Sequence, residues 1–310
     1  MKKTRSGGFA GLMFGLAGGI VIGSFGLAPS LQGGSGFAAQ QLQQEKAVLQ
    51  QQDEVHNKQL QSADIAVEKL FDSAIVDALK DKRITIISTP DTSTETVDAF
   101  AAAITQAGGQ STSILQLQEK FFAQASADEL KNYIALSLPA GEKLNEDIRD
   151  AGTHSGDFIG GGLFVHEQAD DPVVQAAQEH RAEILGELKK MGFVDYVAGE
   201  VVPADAIIFL SGHPAEEFAQ LNQASFARSL AKKGPVVVAS TLTDVQGSGV
   251  LAMLRSNEPG NDQLSTVDSI DRQWGKLAVI LATQEKLTGG HGAYGAGAQV
   301  TDVFPRIVQE

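Results

Sequence analysis

Between residues 83 and 288, short β-branched runs alternate with segments of helical periodicity, and few folds accommodate that alternation. Arg83-Ile84-Thr85-Ile86-Ile87, Ser113 to Leu117, Ala206 to Leu210, Pro235 to Ser240 and Leu264 to Val267 read as strands. Runs that are apolar almost throughout, rather than at every second residue, belong to strands covered on both faces, as in parallel sheets. Between them, Val97 to Ala107 reads as a helix that stops at Gly108-Gly109. Ala127 to Leu138, Glu142 to Asp150, Val173 to Met191, Ala215 to Lys233, Val250 to Arg255 and Arg272 to Lys286 also read as helices. Asp157 to Val165 reads as a further strand, interrupted by Gly160-Gly161-Gly162. Strands and helices in this order imply βαβ units, hence a doubly wound, mostly parallel α/β domain over 83–288. A glycine-rich tail follows over 289–310, and no repeat of fixed period is present.

The segment before this domain obeys different physics. No charged residue lies between Arg5 and Glu45, and 9–31 is apolar or small throughout. A helix crossing the hydrocarbon core needs about 20 such residues. Gly11, Gly15, Gly19 and Gly23 recur every fourth residue and would form a smooth groove on that helix. Such small-residue faces let two membrane helices approach closely, so these glycines are the expected dimerisation face. Lys2, Lys3 and Arg5 precede the span and no basic residue follows it closely. The basic flank sets residues 1–8 in the cytoplasm and everything after the anchor outside, in the periplasm or cell envelope. A cleaved signal sequence is the alternative, with Gly36-Phe37-Ala38 as a tolerable cleavage site, although the apolar core is long for one.

Residues 38–79 are rich in glutamine and charge and contain neither proline nor glycine. Leu42, Leu49, His56, Ala63 and Leu70 recur at seven, and Lys46, Asp53, Leu60, Val67 and Ala74 interleave at three and four. That is a heptad seam, good from Leu60 onward and poor before it. Roughly 40 helical residues would reach about 60 Å. The expected object is a coiled-coil stalk in a parallel homodimer, with Leu42, Leu49, His56, Leu60, Ala63, Val67 and Leu70 as partner-binding positions. A surface helix packed on the following domain would show a stripe as well.

Composition narrows the chemistry. A formal net charge of −14 argues against nucleic acid or an anionic membrane surface as partner. With no cysteine there is no disulfide framework, thiolate metal site or cysteine nucleophile. Copper(I) favours thiolate and thioether ligands, and of four methionines Met1 and Met13 lie at or in the anchor. No two of His56, His154, His166, His180, His213 and His291 stand at i, i+4. His166 beside Glu167, or His291 in the tail, could hold a harder ion weakly. Doubly wound folds bind ligands beyond the C-terminal strand ends, which here carry Ser88-Thr89-Pro90-Asp91, Ser211-Gly212-His213-Pro214 and Ser240 to Asp244. Such residues also cap helices and build turns, and no nucleophile elbow or phosphate loop accompanies them. The expectation is a non-enzyme with no catalytic, cofactor or metal residues, and an enzyme or small-ligand sensor built on these loops is the alternative.

Gly19-Ile20-Val21-Ile22-Gly23-Ser24 closes the anchor, a glutamine-rich coil follows, and Gly290-His291-Gly292-Ala293-Tyr294-Gly295 follows the domain. Together these resemble the actinobacterial family of mycobacterial copper transport protein B, MctB, also called SteB. Here an alanine lies between Gly292 and Tyr294. The resemblance implies one of two roles. One is a regulator or scaffold of cell separation, whose coil binds and activates a RipA-like peptidoglycan hydrolase alongside a SteA-like partner. The other is copper transport or homeostasis across the envelope. A dimerising anchor, an exchangeable coil and an α/β body without soft ligands or a pore fit the first better.

Overall fold

A computed structural model describes residues 35–138, 143–164, 172–196, 201–247, 249–256, 258 and 260–306. The cytoplasmic tail and the 9–31 span, with Gly11, Gly15, Gly19 and Gly23, lie outside the described residues. Among the described residues no helix is long and apolar enough to cross a membrane. The chain divides into two units, 1–60 and 61–310. Helix α1, Ser35–Ile75, begins in the first and ends in the second. Within the first unit, residues 41–60 of α1 are exposed on every side.

The second unit is built on a seven-stranded sheet: β1 Arg83–Ser88, β2 Gln110–Leu117, β3 Val194–Tyr196, β4 Ala206–Leu210, β5 Val236–Ala239, β6 Ser265–Val267 and β7 Ala293–Tyr294. Its order is β3-β2-β1-β4-β5-β6-β7, parallel except for β3. Every residue of β4 is fully buried, which is why its sequence shows no alternation. Helices cover both faces. On one, Ile84, Ile86, Ile208 and Val237 meet α2 (Thr94–Gln106), α9 (Gln273–Leu287) and the base of α1. On the other, Ile87, Ile207, Phe209 and Val238 meet Phe121 and Phe122 of α3 (Glu119–Phe122), Phe158 of α5 (Ala151–Leu163) and Phe226 of α7 (Glu217–Ala231). Phe226 sits at the centre of this layer, edge-on to Phe121, Phe122 and Phe209 at 5.7, 5.8 and 5.3 Å. The doubly wound, mostly parallel domain is the fold expected from the alternation. The other α-helices among the described residues are α4 Ala127–Leu136, α6 Pro172–Lys190 and α8 Val250–Leu254.

Four local expectations are corrected. The segment that begins at Asp157 is not a strand, because Asp157 already lies within helix α5, which runs on to Leu163. The carboxylate of Asp150 starts that helix by accepting the N–H of Thr153 at 2.9 Å. Residues 143–150 are not helical, since the Asn145 side chain accepts from the N–H groups of Asp147 and Ile148, both at 2.9 Å. That local bonding competes with helix formation. The edge strand β3 carries only three residues and escaped the pattern. Finally, the glycine-rich tail is not appended to the domain: Ala293 and Tyr294 form β7 beside β6, so the boundary at 288 runs through the sheet.

The stalk expectation divides at residue 60. Leu42, Leu49, Leu60 and Leu70 are 66, 54, 42 and 62% exposed, and His56 and Ala63 are exposed too. Beyond residue 60 the helix turns half of the seam onto its own domain: Val67 and Ala74 pack beside the buried Phe71 and Ile75, so Val67 meets its own domain and is not a free partner-binding position. Asp64 holds the N-terminus of α9, accepting from Arg272 Nη1 and the Gln273 N–H, both at 3.1 Å. The bond from Gln106 to Asp72 ties the same base to α2.

Candidate functional site

The strand order reverses between β1 and β4, so the loops after them diverge and leave a crevice at their C-terminal ends. Two threonines fasten the first loop to the second. Thr89 donates its N–H to the Leu210 carbonyl at 3.0 Å, and its Oγ1 accepts the Gly212 N–H at 2.8 Å. Thr92 Oγ1 donates to the same carbonyl at 3.1 Å. Ser93 then caps α2 through the Thr96 N–H at 3.2 Å.

Gly212 is required where the loops touch, because a Cβ there would lie 2.1 Å from Asp91 Cβ and 3.0 Å from its backbone. Gly212→Ala is therefore expected to destabilise the domain by about 1–3 kcal/mol through overpacking. Thermal unfolding of the purified protein checks this, and Gly186→Ala, where nothing lies within 4 Å, is the matched control.

The strand-end residues pair in an order the sequence left open. His213 Nδ1 lies 3.1 Å from Asp244 Oδ1. The ring is partly exposed and the carboxylate fully buried. Asp244 also accepts the N–H groups of Val250 and Leu251 at 3.1 and 3.2 Å, anchoring α8. Burial pushes its pKa above the usual carboxylate value, against the opposing bonds from His213 and the two N–H groups. Ser211 turns away from this pair, donating to Gln223 Oε1 at 2.9 Å. Ser88 and Ser240 are buried, with hydroxyls that find no partner among the described residues. Asp91 belongs to a neighbouring wall.

That wall encloses the cleft of the site, about 290 Å³, lined by Pro90, Asp91, Glu119, Phe122, Glu216 and Gln223 among others. It lies between the loops that follow β1 and β4 and the starts of α3 and α7. Sequence reasoning reached Asp91 but missed Glu119, Glu216 and Gln223, which lie on helices or at their starts. The only signal for Glu119 and Glu216 was a position shortly after a strand, and Gln223, in the middle of α7, had none.

Among the described residues no three of His, Cys, Asp and Glu gather closely enough to hold a metal ion. His154 is turned onto the Asn145 carbonyl at 3.1 Å, and His56 and His291 are exposed. His166 and the side chain of His180 lie outside the described residues.

The tail motif has a structural explanation. Arg255 and Asp268 form a buried pair at 2.8 Å beneath it. Asp268 also accepts from Ser269 Oγ at 2.7 Å and from the N–H groups of Ala296 and Gly297 at 2.9 and 3.0 Å. Arg255 donates to the Tyr294 carbonyl at 2.8 Å and the Ala298 carbonyl at 3.2 Å. Gly295 has φ +135°, and a Cβ there would meet the Asp268 carboxylate at 2.2 Å. The glycines are thus the condition for the tail to lie against a buried carboxylate.

Residues 8–305 match the family described as "Copper transport outer membrane protein, MctB". The chain is similar to the copper transporter MctB of Mycobacterium tuberculosis (strain ATCC 25618 / H37Rv), with 32% identity over 228 residues, 71% of this chain and 72% of that protein. It is similar as well to the copper transporter MctB of Mycobacterium leprae (strain TN), with 29% identity over 245 residues, 76% of this chain and 77% of that protein.

Proposed function

The chain belongs to the MctB family, and from that premise we propose that it serves copper homeostasis at the cell envelope. In this reading residues 9–31 hold the chain in the membrane with its α/β domain outside the cytoplasm. The single observation that carries the reading is the match over residues 8–305 to a family described by copper transport. It reverses the preference of Sequence analysis, where the residues were weighed between the two roles that the resemblance implies and favoured cell separation.

Two features bear on how such a role would work. The described sheet is open, with β3 and β7 at its edges. The chain has no cysteine, and among the described residues no metal-binding group forms. This supports a role exerted through contacts with other envelope components, with copper as the cargo of a larger system. Deleting the gene is expected to make cells copper-sensitive and raise their copper content, with both restored by the wild-type chain. Normal copper tolerance and content in the deletion strain would overturn the reading.

The exposed face of α1 favours a second reading. Leu42, Leu49 and Leu60 are exposed in the described structure, and exposed apolar positions at heptad spacing suit helix-in-groove recognition. On this reading a parallel homodimer grips the coil of a cell-wall hydrolase, with a SteA-like protein as a further partner. Single cysteines at 49 and 60 would then crosslink between copies in membranes. If polar residues at 42, 49 and 60 leave cell separation intact, this reading fails.

A further inference from the structure

Ser88 ends β1, is 1% exposed, and carries a hydroxyl that meets no partner among the described residues. Side chains alternate along a strand, so Ser88 shares the face of Ile84 and Ile86, which pack toward α2. Gln116 stands opposite Ser88 in the β1–β2 register, on the face that Ile114 turns the same way. Between these two strand ends and α2 lies a second cleft, of about 310 Å³, lined by both Ser88 and Gln116. Copper homeostasis makes no use of it. A buried hydroxyl without a bond is costly, and natural structures rarely leave one unused.

The rest of the lining sorts the ligand class. Thr94, the first residue of α2, adds a hydroxyl, and Val97, Ile114 and Tyr196 add apolar surface. The cation on the wall is already engaged: Lys189 Nζ lies 2.6 Å from Asp195 Oδ1 and 4.7 Å from the centre of the Tyr196 ring. Asp98 on the wall and Glu95 in the first turn of α2 would repel an anion. An organic cation would find only neutral groups, Ser88 and Gln116, at the strand ends. A wholly apolar molecule would leave the Ser88 hydroxyl unbonded. A neutral molecule with hydroxyls on a carbon skeleton meets all of these conditions.

We propose that this cleft binds a neutral sugar ring. Ser88 and Gln116 exchange hydrogen bonds with its hydroxyls, Asp98 accepts from another, and Val97, Ile114 and Tyr196 cover its C–H surface. Sugar hydroxyls both donate and accept, as do the serine hydroxyl and the glutamine amide. Small-molecule pockets begin at about 300 Å³, so the cleft has room for one ring. The position agrees with the fold, since open α/β sheets bind ligands beyond the carboxyl ends of their strands. A free monosaccharide and the end of a glycan chain present the same ring.

Saturation-transfer NMR on the whole chain, held in a detergent without sugar headgroups, tests the proposal. The probes are glucose, galactose, mannose and N-acetylglucosamine, with glucosamine and glucuronate as cationic and anionic controls. At least one neutral sugar is expected to bind saturably, and more tightly than either charged control. Ser88→Ala and Gln116→Ala are each expected to weaken that binding roughly two- to tenfold, the loss of one hydrogen bond. Ser88→Ala is expected to leave the thermal midpoint unchanged or to raise it, because it removes only an unsatisfied hydroxyl. Raising salt from about 50 to about 300 mM is expected to leave the affinity unchanged, since the ligand carries no charge. A methyl glycoside binding at least as tightly as its parent sugar identifies a glycan end as the source, and weaker binding of the glycoside identifies a free sugar. Absence of saturable binding by all four neutral sugars, tighter binding of glucosamine or glucuronate, or indifference to both variants would overturn the proposal.

Discussion

Asp268→Asn is expected to lower the unfolding free energy by about 3–5 kcal/mol, because it strands the buried Arg255 guanidinium without its counter-charge. For a domain of this size the thermal midpoint should fall by roughly 6–20 °C. Fully desolvated ion pairs are costly to form and much more costly to break, and here both partners are inaccessible to water. The double change Arg255→Met with Asp268→Asn should recover part of the loss, since it removes both charges together. Full additivity in that cycle would mean that the pair does not act as a unit.

The same carboxylate sets an acid limit. Burial alone would raise the Asp268 pKa, but the Ala296 N–H, Arg255 and Ser269 together hold it below the usual carboxylate value of 3.8. A carboxylate with a depressed folded-state pKa contributes stability that is present above its unfolded pKa and lost as pH falls through the folded value. The wild type should therefore lose stability below about pH 4. Asp268→Asn should show a shallower acid slope there, read by chemical unfolding at stepped pH. An unchanged slope would remove Asp268 from the acid response.

Gly156→Leu should be still more disruptive and leave little folded protein. Gly152, Gly156 and Gly160 lie on one face of α5, and α7 runs directly against them. A Cβ on Gly152 would stand 2.2 Å from the Asn222 carbonyl oxygen, and one on Gly156 would stand 2.4 Å from that of Phe226. The Gly152 N–H donates to Asn222 Oδ1 at 2.8 Å across the same contact. Real Cβ atoms cannot approach a carbonyl so closely, so the helices must separate. Separation would open the aromatic layer around Phe226, at a cost of about 3 kcal/mol or more. Gly162→Ala on the same helix meets nothing within 4 Å and should stabilise the protein by about 0.5–1 kcal/mol. Soluble yield and circular dichroism of the two variants provide the check. A folded Gly156→Leu protein with an unchanged midpoint would show that α5 and α7 are not locked together.

These glycines show where the sequence was legible and where it was not. Spacing by four was read in the apolar N-terminal segment, where Gly11, Gly15, Gly19 and Gly23 stand without charges between them. The same spacing at Gly152, Gly156 and Gly160 passed unnoticed, because the Gly160-Gly161-Gly162 triplet looked like an interrupted strand. Glycine has low intrinsic preference for helix, so local propensity argued against α5. Its helical state comes from the partner helix, which no local pattern contains. The candidate site was half legible. Asp91, His213 and Asp244 could be found as polar residues after β-branched runs, whereas Glu119, Glu216 and Gln223 reach the cleft only through the packing of α3 and α7.

By itself the sequence determined the class of the domain, because strands buried on both faces must be apolar at nearly every position, and that pattern survives in one dimension. It determined as well the charge-free N-terminal segment and the heptad spacing of α1, both periodic and local. Only the tertiary structure decided which stripe of α1 meets its own domain, that the glycine-rich tail forms β7 over a buried Arg255–Asp268 pair, and which polar groups share a cleft. Those outcomes depend on contacts between residues tens to hundreds of positions apart. Such contacts are fixed by the simultaneous burial of all the surfaces involved, and no single segment carries that information.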